Sequence, residues 1–250
     1  MTASPDSADP LFHAKLEAMA ELAAGAGHEI NNPLATISGH AQRLLLDEAD
    51  PDRRQALLAI GAQAYRIRDM IGDLMLFARP PVPVPQAVKV REALESVFAA
   101  LRPGLPPTLA LELAKGREYE IWADPTQFAV VASNLMRNAV EAHSLKAVGD
   151  AAAAPGTLRV GCKTQGEMAL LTFTDGGCGF TPDELQHAFD PFFSARQAGR
   201  GLGFGLPKCW RIVTGHGGRI AITSLANPTV VSVWWPLAAS RRTQPSSVLE

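Results

Sequence analysis

The stretch "LLAIGAQAYRIRDMIGDLMLFA" (Leu57 to Ala78) decides the architecture of the first part of the chain. Its apolar residues fall at Leu57, Ile60, Ala64, Ile67, Ile71, Leu74 and Ala78. The spacing alternates three and four, the signature of a helix with a bundle seam. A weaker seam precedes it at Leu16, Met19, Ala23, Ala26, Ile30, Ile37, Ala41 and Leu44. Between the two, "DEADPD" (Asp47 to Asp52) carries acid and proline turn signals, with Asp50-Pro51 at its centre. The expected unit is a hairpin of two long helices. Such helices bury their stripes poorly alone, so pairing with a second copy into a four-helix bundle is expected, and with it a homodimer.

Working outward, "RPPVPVP" (Arg79 to Pro85) cannot continue a helix and predicts an extended spacer. Beyond it the pattern is mixed. "TLALEL" (Thr108 to Leu113) and "YEIW" (Tyr119 to Trp122) read as strands. Asp124-Pro125 supplies an N-cap and a first-turn proline for a helix to about His143. "TLRVGCK" and "MALLTFTD" look like a strand pair, the second ending at an acid and a glycine loop. A short helix from Pro182, a helix from about Gly205, and strands near Arg219–Ser224 and Thr229–Trp234 follow. This order predicts an α+β class, with helices on one face of a mixed sheet. The expected boundaries are 1–10 disordered, 11–79 helical hairpin, 80–86 linker, 87–238 second domain and 239–250 disordered tail.

Bulk properties narrow the function. The chain has 250 residues, 47% of them hydrophobic and 19% charged, with a net charge of -2. That balance leaves no electrostatic footprint for nucleic acid. No run is apolar enough to span a bilayer, and "MTASPDSADP" lacks the pattern of a signal peptide. Three separated cysteines, Cys162, Cys178 and Cys209, fit a reducing compartment better than disulfides or zinc. The expected location is cytoplasmic.

Four stretches carry chemistry. The first is "AGHEINNPLATISGH" (Ala26 to His40). On a helix His28 stands about 200° from Ala26, on the side away from the seam. Heptad phase therefore argues against a core histidine. A metal site lacks a second ligand close by, since the residue one turn on is Asn32. The pattern favours an exposed imidazole with Glu29 beside it, and a neighbouring carboxylate can hold the tautomer that leaves one ring nitrogen free to attack. Pro33 leaves the Glu29 carbonyl unpaired, and a kink or local opening is expected there.

The second stretch is "NLMRNAVEA" (Asn134 to Ala142). Asn134 and Asn138 border an apolar stripe, where they can meet phosphate oxygens and a hard cation, or simply bond to backbone and solvent. The third, "TDGGCGF" (Thr174 to Phe180), ends a strand in a carboxylate and glycines. It suits a ligand amino group, and it also suits a tight turn. The fourth, "GRGLGFGL" (Gly199 to Leu206), sets glycines at every second position before a helix. It matches neither a Walker loop nor a dinucleotide fingerprint, although its backbone could face phosphate. Between the glycine loops, "DPFFSAR" (Asp190 to Arg196) offers aromatic anchors for a lid and an arginine within reach of phosphate.

Taken together and in this order, these stretches resemble the sensor histidine kinases of two-component systems, over roughly Leu16 to Pro236. "GHEINNPL" resembles the phosphoacceptor box, "NLMRNAVEA" the asparagine box, and "DGGCGF" and "GRGLGFGL" the two glycine boxes. "FDPFF" resembles the phenylalanine box, and "IVTGHGGRI" the turn after the last helix, where His216 is expected to be structural. The resemblance implies a dimeric helical bundle followed by an α/β sandwich of the Bergerat (GHKL) type. By position, His28 would be the phosphorylated nucleophile and Glu29 its orienting base. Asn32 would assist dephosphorylation of a partner. Asn138 would hold Mg²⁺ with Asn134 in support, and Asp175 would take the adenine amino group in a pocket shaped by Gly177 and Gly179. Arg196, Gly199, Gly201, Leu202 and Gly203 would line the ATP phosphates.

The implied activity is ATP-dependent autophosphorylation of His28 and transfer to an aspartate of a separate response regulator, with a separate sensor protein as a further expected partner. Three positions depart from the family pattern: Arg200 replaces a common Thr or Ser, Gly205 an Ala or Ser, and Gly27 an Ala. Gly27 is expected to loosen the helix that carries His28. Two rival readings are a related ATPase without phosphotransfer and a catalytically silent dimeric scaffold.

Overall fold

The computed structural model describes residues 10–106, 109–114, 117–149, 157–193, 203–224 and 228–242. The side chains of Leu16, Ala23, Ala26 and His28 lie outside that description. Two compact units meet in sequence between Pro81 and Val82.

The first unit is the helical hairpin, α1 (Pro10–Asp47) and α2 (Pro51–Ala78). Its turn forms where the acids and proline predict. The Asp50 carboxylate accepts the N–H groups of Asp52 and Arg53, both at 3.0 Å, and Pro51 opens α2. Helix α1 has no basic residue in its own last turn. Arg54 of α2 supplies the missing donor, giving its guanidinium to the carbonyls of Leu45 (3.0 Å) and Glu48 (2.7 Å). Farther along, Gln42 donates to the Tyr65 hydroxyl across the hairpin at 2.7 Å. Helix α1 runs through Pro33 to Asp47, so the proline does not end it.

The contact face of α1 shares Ala41 with the predicted seam, but Ile37 and Leu44 of that seam are exposed. Gly27, Leu34 and Ala41 are buried, with Asn31, Ser38 and Leu45 half-buried between them. That is a heptad rhythm set one position after Ala26 and Ile30. Gly27 shows why: a Cβ there would stand 3.1 Å from Met75 Sδ and 3.4 Å from Ile71 Cγ2. The glycine lets α1 approach α2 closely, so it packs the hairpin as well as weakening local helix propensity. Ile37 and Leu44 of α1 and Ile60 and Ile67 of α2 form a second stripe, between 39% and 56% exposed. Two adjacent stripes had merged into one in the sequence pattern.

The second unit is a layer of helices on a mixed sheet. Its strands are β1 (Gln86–Lys89), β2 (Ala110–Leu113), β3 (Glu120–Ala123), β4 (Thr157–Gln165), β5 (Met168–Asp175), β6 (Arg219–Ser224) and β7 (Thr229–Pro236). Its helices are α3 (Val90–Leu101), α4 (Pro125–Gly149), α5 (Pro182–Gln186), α6 (Gly205–Gly215) and α7 (Ala238–Arg242). The main sheet has the order β2-β4-β5-β7-β6, with β2 parallel to β4 and the other pairs antiparallel. One face alternates into the core: Leu158 and Val160, Leu171 and Phe173, Val231, Val233 and Trp235, Ile220 and Ile222 are all buried. Helices α4 and α6 pack on each other and on the sheet, with α3 against α4. Strands β1 and β3 form a separate antiparallel ribbon.

Several boundaries are corrected. Pro10 already belongs to α1, β1 begins at Gln86 within the predicted linker, α4 extends to Gly149, and α7 occupies the first residues of the predicted tail. Neither β1 nor α3 was expected. Residues 1–9 and 243–250 lie outside the described residues.

The entry to α4 is fixed by one acid. Asp124 Oδ1 accepts the N–H groups of Thr126 (2.9 Å) and Gln127 (3.1 Å), and Oδ2 accepts that of Val84 (2.9 Å) in the proline-rich segment. Burial disfavours the carboxylate's charge, but the N–H groups of Val84, Gln127 and Thr126 outweigh it and hold its pKa below the ordinary value. The Asp124 N–H donates to His216 Nε2 at 3.0 Å, while His216 Nδ1–H donates to the Ile212 carbonyl at 2.9 Å. Both ring nitrogens serve the fold, and the ring meets Trp235 edge-on at 5.1 Å. His216 is structural, as expected.

Candidate active site

Helix α4 carries the first half of the site. Its buried side presents Phe128, Val131, Leu135 and Ala139 to the core. Asn134 and Asn138, four apart, stand half-buried at the border of that stripe. Asn134 Nδ2 donates to the Val130 carbonyl at 2.7 Å, so part of the backbone-bonding alternative holds for this residue. Its oxygen is turned the other way. A Cβ on Gly205 would lie 3.6 Å from Asn138 Oδ1 and 3.7 Å from Asn134 Oδ1. The two amides therefore face the first residue of α6, which brings the asparagine stretch and the second glycine stretch together. The donor set suits Mg²⁺: neutral amide oxygens are hard ligands that leave room for water and phosphate. Among the described residues, no group of three or more His, Cys, Asp or Glu side chains could hold a metal ion.

The C-terminal end of β5 carries the second half. Asp175 is buried, and its Oδ1 accepts the Gly177 N–H at 2.9 Å. Gly177 is required by contact: a Cβ there would fall on the Ala142 side chain and 2.9 Å from Asp175 Oδ1. Burial raises the Asp175 pKa above the ordinary carboxylate value, opposed by the Gly177 N–H and the Thr229 hydroxyl. Thr229 pairs with Asp175 across β5 and β7 and is itself buried. Its hydroxyl lends the acid some support but completes no hydrogen bond of good geometry. A buried acceptor beside an unsatisfied buried hydroxyl, in a cradle that a Cβ would fill, suits a flat base carrying an amino group. Thr229 and His143 are site residues that no sequence motif announces. Gly179 sits at φ +77°, a conformation that favours glycine.

Two aromatic residues meet the second glycine stretch. Phe192 adopts φ +64°, unusual for a side-chain-bearing residue, and packs edge-on against Phe204 at 4.8 Å. Gly203, at φ +70°, lies so close to the Phe192–Phe193 backbone that any Cβ would overlap it. Phe189 is buried and anchors the same segment. Arg196, Gly199, Arg200, Gly201 and Leu202 lie outside the described residues.

The third group belongs to the hairpin. His28 is in α1, one residue after the buried Gly27, and Glu29 and Asn32 are exposed on the same helix. The Thr36 hydroxyl donates to the Asn32 carbonyl at 3.1 Å, one of the turns around Pro33.

Comparison with known proteins agrees with both units. Residues 18–81 match the model of the His Kinase A (phospho-acceptor) domain. Residues 123–239 match that of the histidine kinase-, DNA gyrase B-, and HSP90-like ATPase. The chain is 29% identical over 233 residues to the sensor histidine kinase ZraS of Salmonella typhi, covering 91% of this chain and 48% of that protein. It is 32% identical over 214 residues to the C4-dicarboxylate transport sensor protein DctB of Pseudomonas aeruginosa, covering 82% and 34%. Among solved structures, full-length ShkA in complex with AMPPNP has a TM-score of 0.71 at 20% identity, covering 87% of this chain and 46% of that one. Histidine kinase ThkA in complex with the response regulator protein TrrA has a TM-score of 0.60 at 20% identity, covering 92% and 68%. The structural likenesses show the fold. The chain thus belongs to the sensor histidine kinase family of two-component systems, with a phosphoacceptor-type hairpin followed by a GHKL-type ATPase fold. It spans at most about half the length of these two relatives.

Proposed function

We propose that this chain is an ATP-dependent protein histidine kinase. The observation that carries the reading is the pairing of the Asp175–Gly177 cradle with the Asn134 and Asn138 amides along one helix, in a chain whose α1 holds "GHEINNP". Asp175 and Thr229 take the adenine edge, with Gly177 and Gly179 shaping the pocket. Asn138, supported by Asn134, holds the Mg²⁺ that neutralises phosphate charge. Arg196, Gly199, Gly201, Leu202 and Gly203 line the phosphates. An imidazole nitrogen of His28 attacks the γ-phosphorus in line as its bond to the bridging oxygen breaks, and ADP leaves. Glu29 holds the attacking tautomer and receives the proton.

The phosphoryl group then passes to an aspartate of a response regulator, and Asn32 positions water for its later hydrolysis. The exposed stripe of Ile37, Leu44, Ile60 and Ile67 supports a homodimeric bundle. No helix among the described residues is long and apolar enough to cross a membrane. Residues 10–78 act as the phosphoacceptor hairpin and 86–242 as the catalytic domain, and the setting is cytoplasmic, with a separate sensor as a further partner.

The test is incubation of the purified chain with γ-labelled Mg-ATP. An acid-labile, alkali-stable label absent from His28→Gln is the expected result. Equal labelling of both chains sinks the reading. ATP turnover without label points to the ATPase, and no nucleotide binding to the scaffold.

A further inference from the structure

One polar side chain at the nucleotide pocket has no place in the scheme above. His143 lies on α4, one residue beyond Ala142 and half-buried. Its Nε2 accepts the N–H of Gly176, the residue directly after Asp175, at 3.4 Å. The proton of the neutral ring therefore resides on Nδ1. Three consecutive residues of the glycine loop are thus held, two of them by neighbouring positions of one helix. Asp175 Oδ1 binds the Gly177 N–H, Gly177 abuts Ala142, and Gly176 is tied to His143. The contact with Ala142 sets how near the loop comes to the helix. The bond to His143 holds the N–H of the Asp175–Gly176 peptide, the backbone unit next to the carboxylate.

We propose that His143 is a positioning residue for the purine base: by accepting the Gly176 N–H it aims the Asp175 carboxylate at the exocyclic amino group. The inference rests on the nucleotide-binding reading of Asp175. Chemistry limits which substitutes would serve. A glutamine can bring its amide oxygen to the place of Nε2, whereas an asparagine is one carbon shorter and reaches only that of Nδ1. A leucine removes the ring nitrogen that accepts from Gly176.

The experiment is calorimetric titration of the full chain with Mg-ATP and, separately, with the Mg complex of purine riboside triphosphate, which lacks the amino group. Wild type is compared with His143→Gln, His143→Asn, His143→Leu and Asp175→Asn, each checked by circular dichroism. His143→Asn and His143→Leu are expected to weaken ATP binding about tenfold, the scale of one net hydrogen bond. His143→Gln should stay within about twofold of wild type, and none of the three should move the amino-less nucleotide by more than about twofold. Asp175→Asn should lose the preference for ATP altogether.

ATP affinity unchanged in His143→Asn and His143→Leu overturns the proposal. So does equal weakening for both nucleotides, which would be a general loss of structure. Should the leucine variant fail to fold, the contrast between glutamine and asparagine decides alone. If wild type binds neither nucleotide, or Asp175→Asn keeps its preference for ATP, the underlying reading of Asp175 has failed, a pattern distinct from failure at His143.

Discussion

Replacing Asp124 by alanine should destabilise the second unit by about 2 kcal/mol at neutral pH. As an N-cap for α4 the carboxylate binds Thr126 and Gln127, and loss of such a cap costs about 1 kcal/mol. Its other oxygen binds the Val84 N–H at 2.9 Å, worth about 1 kcal/mol more. The bond from the Asp124 N–H to His216 is a backbone contact and survives the substitution. All four tryptophans, Trp122, Trp210, Trp234 and Trp235, belong to this unit. Urea unfolding followed by tryptophan fluorescence therefore reads it without interference from the hairpin.

The pH dependence has a definite sign. The folded pKa of Asp124 lies below its ordinary value. Its contribution is therefore complete above the ordinary carboxylate range and is lost as pH falls through the lowered folded value. The gap between wild type and Asp124→Ala should close in acid. Asp124→Asn, which keeps an acceptor oxygen, should recover part of the loss without that slope. A midpoint for Asp124→Ala matching wild type at neutral pH, or a gap that widens in acid, would refute the reasoning.

Three further outcomes are expected. Gly205→Ala should raise the thermal midpoint, because its Cβ meets nothing nearer than 3.6 Å and alanine restricts the unfolded chain by about 0.4–1 kcal/mol; a lower midpoint would show that the space is not there. Ile60→Glu with Ile67→Glu should leave the hairpin helical but halve the mass seen in sedimentation velocity, since both side chains lie on the exposed stripe; an unchanged mass would remove that stripe from the dimer. Asp175→Asn should be at least as stable as wild type at neutral pH while binding ATP poorly. Burial raises the acid's folded pKa, so wild type loses stability as pH rises from the ordinary carboxylate value through the raised one. Urea unfolding across that range checks it, and a less stable asparagine variant at neutral pH would contradict it.

Signals made by neighbours in sequence were legible from the residues. Asp50-Pro51 and Asp124-Pro125 begin helices because an acid and a proline suffice to cap and start one. Alternating Leu171, Phe173 and Asp175 announce a strand that ends at a carboxylate. Helix α3 has helical spacing at Val90, Leu94 and Val97 but no marked start, because Lys89 offers no side-chain cap and β1 before it is only four residues long. The buried face of α1 was not legible at Gly27, because a glycine adds nothing to an apolar pattern, and only its closeness to Met75 and Ile71 shows that it faces inward. Thr229 reaches Asp175 through the β5–β7 ladder, and His143 reaches Gly176 across the loop. Pairings over such separations leave no periodic trace.

The central claim is that the pocket on α4 and β5 delivers a phosphoryl group to one imidazole on α1. Its most direct test is to map the site after incubation with Mg-ATP, by mass spectrometry of proteolytic peptides kept alkaline. The account predicts a phosphoryl group on His28, absent in Asn138→Ala and Asp175→Asn, with His40 of the same helix unmodified. Phosphate on His40 instead of His28, or label on His28 that persists in both pocket variants, would contradict it.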